Sequence, residues 1–194
     1  ETSPIGYNGS FSSGCSGTIA NGETKTCTIT NDDIKPRLIV IKNVINDNGG
    51  IAVSSDFNIS VAGNNTAPPT FPGSAAGTSV ELNSGQYSVT ENSPAGYSGN
   101  FSANCSGAIS IGQVKTCTIT NDDIPAKIIV NKIVVNNNGG NKTASDFPLF
   151  IDGAQVTNGA INNVLPGTHN ASETNQFGYA ASFSGDCNSS GQVS

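Results

Sequence analysis

The sequence predicts an all-β protein built from tandem β-sandwich repeats, and three observations support this. The phrase Lys25–Ile34 recurs at Lys115–Ile124, 90 residues further on, which marks tandem copies of one domain. Short runs rich in β-branched and aromatic residues alternate with Gly, Pro and Asn clusters. Helical periodicity is nearly absent. Short strands in a unit of about 90 residues indicate a sandwich, and the brief links between copies favour a semi-rigid rod.

Further repeated segments set the expected domain boundaries. Glu1–Tyr7 returns as Glu91–Tyr97 and again as Glu173–Tyr179, while Leu38–Lys42 returns as Ile128–Lys132. On this period, residues 1–34 are the C-terminal part of one copy, here called the first repeat. Residues 35–124 are a complete copy, the central repeat. Residues 125–194, the third repeat, are expected to lack the last strand, so the chain is interpreted as a window on a longer array.

Composition narrows the function. The net charge of −6 argues against binding to nucleic acid or to anionic membrane surfaces. No apolar run reaches the length of a membrane span. A hydrolase built on a small β-sandwich of this kind would need several convergent His and Arg residues, but the chain has one His and few Arg. We therefore expect no enzyme, and further copies of the same repeat or subunit as the main partners, with glycans as a possible additional one.

The five cysteines are explained by the repeat. Cys15 and Cys27 form one set, and Cys105 and Cys117 stand at the same spacing in the next copy. Cys187 occupies the position of Cys105, so its partner is expected beyond the end of the chain. Disulfides between neighbouring strands are the natural interpretation, since no pair has zinc-ligand spacing. They imply an oxidising compartment, and hence a secreted, cell-surface protein.

Eight N-x-Ser/Thr sequons fit the same location and predict possible glycosylation. They begin at Asn8, Asn58, Asn64, Asn100, Asn104, Asn141, Asn170 and Asn188.

The central repeat contains most of the predicted strands, and their inward faces suggest a chemistry. The strands are expected at Arg37–Ile45, Asp56–Ala62, Ser79–Leu82, Gln86–Glu91, Tyr97–Cys105 and Thr116–Asn121. Alternate residues of a strand share a face. Lys42 therefore shares a face with aliphatic residues, Glu91 with Tyr87 and Val89, and Asn121 with Cys117 and Ile119. A lysine, a carboxylate and an amide are thus predicted at the inward register of three separate strands.

These segments resemble a known family. The run Gly85–Tyr97, a first strand ending in Val-Ile-Lys42 and a last strand ending in Asn121 are similar to the Cna B-type, or SpaA-like, prealbumin-like domains of surface adhesins and pilins. The resemblance covers residues 35–124 and, by repetition, nearly all of the chain. It implies an Ig-like or prealbumin-like (transthyretin-like) sandwich used as a structural segment of an extracellular fibre, stalk or pilus-like filament.

The resemblance also implies an intramolecular isopeptide bond. Lys42 would be the nucleophile, Asn121 the electrophile and Glu91 the proton-transfer group. A protonated Glu91 is expected to hydrogen-bond the Asn121 carbonyl and polarise it. The other copies hold partial sets: Glu1 and Asn31 without a lysine, and Lys132 and Glu173 without an asparagine. Such a bond forms once, on the protein itself, so the chain would still be no enzyme.

Three alternatives stay open at this level. Lys42 and Glu91 could form only a buried ion pair. Asn46–Gly50, together with the aspartates of the repeat links such as Asp122 and Asp123, could supply oxygens to calcium. A tight hairpin turn is favoured instead, because Gly and Asn tolerate the positive φ that such turns need. The loop Ala67–Thr78 could make the repeat an adhesin binding module for a glycan or a host protein, although an ordinary variable loop is favoured.

Overall fold

The computed structural model describes all 194 residues and contains no α-helix. The first and central repeats hold ten strands: β1 Tyr7–Phe11, β2 Ile29–Asp33, β3 Arg37–Ile45, β4 Asn58–Ala62, β5 Thr70–Pro72, β6 Thr78–Glu81, β7 Gly85–Asn92, β8 Tyr97–Phe101, β9 Ser106–Ile109 and β10 Val114–Asp123. The third repeat holds six: β11 Ala126–Ile129, β12 Leu149–Ile151, β13 Ala154–Val156, β14 Ile161–Val164, β15 His169–Glu173 and β16 Gln192–Val193. Short 3₁₀ turns lie at Ser13–Cys15, Ser54–Asp56, Ala103–Cys105 and Ala144–Asp146.

The chain forms two compact units. Unit 1 contains residues 1–46 and 51–122, and unit 2 contains residues 47–50 and 123–194. Each is built from small β-sheets, so the prediction of an all-β protein of tandem sandwich domains is confirmed. No helical segment has the length and apolar character needed to cross a bilayer.

Two four-stranded sheets make up the central repeat. One has the order β6-β3-β10-β8 and the other β5-β4-β7-β9. In the first, β3 and β10 pair in parallel, with Lys42 beside Ile119 and Asn121 beside Val44. Since in-register residues of paired strands point to the same face, Lys42 and Asn121 are inward-facing neighbours two positions apart along the pair.

The core of the central repeat lies between these sheets and consists of aliphatic, aromatic and disulfide side chains. Its buried members are Leu38, Val40, Ile59, Val61, Phe71, Val80, Leu82, Tyr87, Val89, Cys105, Ile109, Cys117 and Ile119. They recur at every second position of β3, β4, β7 and β10, as the parity argument requires. The predicted inward faces of β3, β7 and β10 are the observed ones.

Most predicted strands agree with the structure to within two residues at each end, and two segments differ more. The strand expected over Tyr97–Cys105 ends at Phe101, because Ser102 turns the chain: its Oγ accepts a hydrogen bond from the Thr118 backbone N–H and its carbonyl accepts one from Cys105. The Ala67–Thr78 loop contains a short strand, β5, which pairs with β4 at the sheet edge. Pro72 has no N–H to donate, which suits this edge position.

In unit 1, the first repeat adds a two-stranded antiparallel sheet, β1-β2. Ile34 donates its backbone N–H to the Gly6 carbonyl and accepts a bond from the Gly112 N–H, so the link between the first and central repeats is held by backbone hydrogen bonds. In unit 2, the third repeat has a sheet of order β13-β12-β15-β16 and a two-stranded sheet, β11-β14.

Candidate functional site

Lys42 lies on β3 with its side chain fully buried between the two sheets. Its Nζ donates to Asn121 Oδ1 at 2.6 Å and to the Asn43 carbonyl at 3.0 Å. The ammonium lies 3.9 Å from the centroid of the Phe57 ring and 3.3 Å from Glu91 Oε2. The three residues expected at one site are therefore brought together, two from one sheet and Glu91 from the other.

Burial of this amine changes its acid–base behaviour. Desolvation lowers the pKa of Lys42 below its usual value, while the neighbouring Glu91 carboxylate partly opposes the shift. A lower pKa makes the neutral, nucleophilic amine more accessible near neutral pH. The amine thus contacts the asparagine carbonyl oxygen, and burial shifts its protonation equilibrium towards the nucleophilic form.

Asn121 is held by both ends of its amide. Oδ1 accepts from Lys42, and Nδ2 donates to Ser93 Oγ at 3.0 Å. The opposite orientation would set the amide N–H₂ against the lysine ammonium, two donors facing each other, so the hydrogen bonds define which atom is which. The arrangement polarises the carbonyl towards the lysine and leaves the amide nitrogen on the side of Ser93.

Glu91 has a side chain that is 1% exposed. Its Oε1 accepts a hydrogen bond from Ser93 Oγ at 2.6 Å, while Oε2 faces the lysine without a well-aligned hydrogen bond. The sequence suggested a direct bond from Glu91 to the Asn121 carbonyl. In the structure that carbonyl is held by Lys42, and Glu91 reaches the amide through Ser93, because the carboxylate divides its two oxygens between lysine and serine.

Two glycines allow this close packing. A Cβ on Gly99 would lie 3.2 Å from Asn121 Oδ1 and 3.5 Å from Glu91 Oε1, and one on Gly73 would lie 2.7 Å from Lys42 Cγ. Sequence reasoning did not identify either glycine as part of the site. The usable signal for Gly99 was that Gly9 stands at the matching position of the first repeat, where a Cβ would lie 3.2 Å from Asn31 Oδ1.

Phe57 and Tyr97 form the apolar wall of the site and were also missed as site residues. Their rings contact edge to face, with centroids 5.4 Å apart. The Tyr97 hydroxyl donates to Asn46 Oδ1 at 2.6 Å and accepts from the Ala52 N–H. The sequence did repeat both residues, as Phe147 and Tyr179, and these form the same edge-to-face pair in the third repeat. The recurrence of this aromatic pair in the next repeat was the sequence signal that could have identified both residues.

The partial sets adopt related but incomplete geometries. In the first repeat, Asn31 Nδ2 donates directly to Glu1 Oε1 at 2.7 Å. In the third repeat, Lys132 Nζ pairs with Glu173 Oε2 at 2.5 Å, and their side chains are 16% and 10% exposed. A cavity of about 610 Å³ adjoins this pair and is also lined by Leu149 and Phe183. Neither set has all three groups.

Two disulfides are present, each within one repeat. Cys15–Cys27 lies in the first repeat and Cys105–Cys117 in the central repeat, with Cα–Cα distances of 4.4 and 4.5 Å. Cys15 and Cys105 each end a 3₁₀ turn, while Cys27 lies just before β2 and Cys117 lies on β10. Cys187 is a free thiol, and its expected partner stays a prediction.

The suggested calcium ligands include Asp123, whose carboxylate lies within 4.8 Å of that of Asp47 in unit 2. Its carboxylate accepts hydrogen bonds from the backbone N–H groups of Asp47, Asn48 and Gly50. Gly49 in this turn has φ of 87°, the left-handed conformation that glycine adopts without strain. The carboxylate therefore fastens a turn. The turn is not the expected hairpin, because β3 before it and β4 after it lie in different sheets.

Comparison with known proteins agrees with this geometry. No curated protein is similar in sequence to the chain. The sequence profile of the SpaA-type prealbumin-like fold domain matches residues 33–122 and again residues 123–194. Together the two matches cover most of the chain, which therefore belongs to the family of SpaA-type prealbumin-like fold domains.

Proposed function

We propose that the central repeat closes itself with an isopeptide bond between Lys42 and Asn121, and that the chain is a structural segment of an extracellular stalk, fibre or pilus-like filament. The observation that carries the proposal is the buried contact of 2.6 Å between the lysine Nζ and the asparagine Oδ1, beside the Glu91 carboxylate. The reaction would be one turnover on the protein itself, so the chain is not proposed to be an enzyme.

The reaction balances with the groups present. Glu91 takes a proton from the lysine ammonium, and the neutral Nζ attacks Asn121 Cγ. The Nζ–Cγ bond forms and the Cγ–Nδ2 bond breaks. The amide nitrogen gains the proton that Glu91 had taken and leaves as ammonia, and the carboxylate then takes the second proton of the attacking nitrogen. Holding the two groups in contact in a dry site supplies the high effective concentration that an unreactive amide requires.

The position of this bond suits a load-bearing role. Lys42 lies on the first strand of the central repeat and Asn121 on the last, and the two strands are parallel neighbours. A covalent bond between them would carry tension directly from one strand to the other, so that residues 43–120 would be shielded from extension. The Cys105–Cys117 disulfide lies within the shielded stretch and limits unfolding there by other means.

The disulfides and the surface support an extracellular setting. Disulfides persist in oxidising compartments, and the asparagines of all eight sequons are exposed, as a glycosylated protein would need. The alternative role as a binding module receives less support, because Phe71, the aromatic residue of the Ala67–Thr78 loop, is only 8% exposed and packs in the core. Further copies of the repeat or subunit are the proposed partners.

The proposal is tested by the intact mass of the full chain, before and after reduction, with Lys42→Ala and Glu91→Ala as controls. We expect the mass of the wild-type chain to be lower than the mass calculated from its sequence by one ammonia. Neither variant should show this loss of ammonia. One ammonia, rather than two, is expected because the partial sets cannot react. A wild-type mass deficit made up only of the disulfide hydrogens would contradict the isopeptide bond and leave Lys42 and Glu91 as an ion pair.

A further inference from the structure

We propose that Ser93 is a catalytic residue of this reaction, passing a proton from Glu91 to the departing nitrogen of Asn121. This inference rests on the proposed isopeptide bond. It assigns the delivery of the proton to a hydroxyl that the lysine, glutamate and asparagine pattern does not include.

The hydroxyl is placed between donor and destination. Ser93 Oγ donates to Glu91 Oε1 at 2.6 Å and accepts from Asn121 Nδ2 at 3.0 Å. Glu91 itself makes no hydrogen bond to Asn121 and faces Lys42 with its other oxygen, at 3.3 Å. One carboxylate therefore contacts the nucleophile directly and the leaving group only through Ser93.

The first repeat has a more direct contact between carboxylate and amide. There, without a lysine, Glu1 Oε1 binds Asn31 Nδ2 directly at 2.7 Å. In the central repeat Lys42 takes up Glu91 Oε2 and Asn121 Oδ1, and the serine hydroxyl occupies the remaining gap between carboxylate and amide nitrogen. The path from carboxyl to leaving group is thus one hydroxyl longer in the central repeat, where the nucleophile is present.

The transfer reverses the resting hydrogen bonds. Glu91 first accepts a proton from Lys42, and the neutral amine adds to Asn121 Cγ. As the amide nitrogen becomes tetrahedral and basic, Ser93 gives it the Oγ proton and receives the Glu91 proton in turn. The Cγ–Nδ2 bond breaks to release ammonia, and the Glu91 carboxylate takes the second proton of the attacking nitrogen. Ser93 ends unchanged, and no outside reactant is consumed.

The location of Ser93 also suits the exit of the product. Lys42 and Asn121 are fully buried, but Ser93 lies at the exposed rim of the site. Ammonia formed against the serine hydroxyl is therefore formed at the side from which it can reach solvent. Because water could replace a missing hydroxyl at this rim, the test needs an apolar side chain that fills the same space.

The matched variants are Ser93→Thr and Ser93→Val. Threonine keeps a hydroxyl, and valine has nearly the same shape as threonine but no hydroxyl. The full chain is made by cell-free synthesis under oxidising conditions, sampled over time, quenched in acid and weighed intact. We expect Ser93→Val to lose ammonia about 100-fold more slowly than wild type, the usual size of a general acid–base contribution. Ser93→Thr should stay within a few-fold of wild type, and the disulfide hydrogens should be lost at the same rate in all three chains.

The outcomes separate the relay from the bond itself. Equal rates for Ser93→Val and wild type would overturn the relay and leave the isopeptide bond in place. Equal slowing in the valine and threonine variants would also overturn it, because shape rather than the hydroxyl would then matter. A wild-type chain that keeps its ammonia would overturn both proposals.

Discussion

Replacing Lys42 by Met and Glu91 by Gln together tests how much the proposed bond stabilises the central repeat. Both replacements keep the approximate volume of the side chain, and Met retains a favourable contact with the Phe57 ring. The double variant removes the nucleophile and the proton-transfer group without leaving an unpaired buried charge. It therefore isolates the covalent bond better than either single substitution.

The expected loss follows from the length of chain that the bond closes. Lys42 and Asn121 are 79 positions apart, so loss of the cross-link should lower the free energy of unfolding by about 4.5 kcal/mol on the loop-entropy estimate. The disulfide inside this loop, with its separation of 12, shortens the effective loop and reduces that value by only about 0.1 kcal/mol. The isopeptide bond should thus contribute more than the disulfide.

The assay is hydrogen exchange of the β3 and β10 amides in the full chain, which reports the opening free energy of this repeat separately from the rest. If Lys42 and Glu91 form only an ion pair, the same double substitution should leave stability unchanged or raise it by about 1–4 kcal/mol, since buried pairs repay their desolvation poorly. The sign of the change in opening free energy therefore distinguishes the covalent bond from the ion pair. An unchanged or higher opening free energy would refute the argument.

Three further predictions concern other parts of the molecule. Gly99→Ala should slow loss of ammonia from the central repeat, because the new methyl group crowds the asparagine Oδ1; a wild-type rate by intact mass would show that the site tolerates it. Replacing Cys105 and Cys117 by Ala should lower the free energy of unfolding by about 3 kcal/mol, from the separation of 12 residues, measured by urea unfolding; a loss below about 1 kcal/mol would contradict the estimate. The hydrogen bond to Asp152 raises the pKa of His169 and that to His169 lowers the pKa of Asp152. The stability that His169 contributes is therefore fully present below pH 6.5 and is lost as the pH rises through the raised pKa of the folded state. The stability that Asp152 contributes is lost as the pH falls through its lowered pKa in the folded state. The opening free energy of the β15 amides, measured by hydrogen exchange, should therefore be constant between these two pKa values and fall on either side. In a His169→Gln variant the fall at the higher pH should disappear.

The sequence determined the architecture because its information was repetitive and local. The phrase shared by Lys25–Ile34 and Lys115–Ile124 revealed the period, and alternation along β3, β7 and β10 identified their inward faces. It also identified Lys42, Glu91 and Asn121, since a polar residue at an inward register of an apolar strand is anomalous in the sequence alone. Cysteine spacing shared by two copies similarly indicated pairs that the structure contains.

The strand limits were less well determined. Tyr97–Phe101 is followed by a turn rather than by more strand, because the Ser102 hydroxyl binds the backbone of Thr118, far along the chain. Phe71 lies on a short edge strand because β4 offers it a partner. Neither contact is local, so neither could be inferred from neighbouring residues.

Only the tertiary structure decided which atoms of the site contact one another. Residues from strands far apart in sequence meet there, and their distances depend on how two sheets pack. Packing of the two sheets brings Lys42 Nζ to Asn121 Oδ1 and places Ser93 between Glu91 and the amide nitrogen. It also leaves little space for a side chain at position 99. Period and parity specify which face a side chain points to, but hydrogen-bond partners are set by sub-ångström distances between strands, and those arise only when the core is packed.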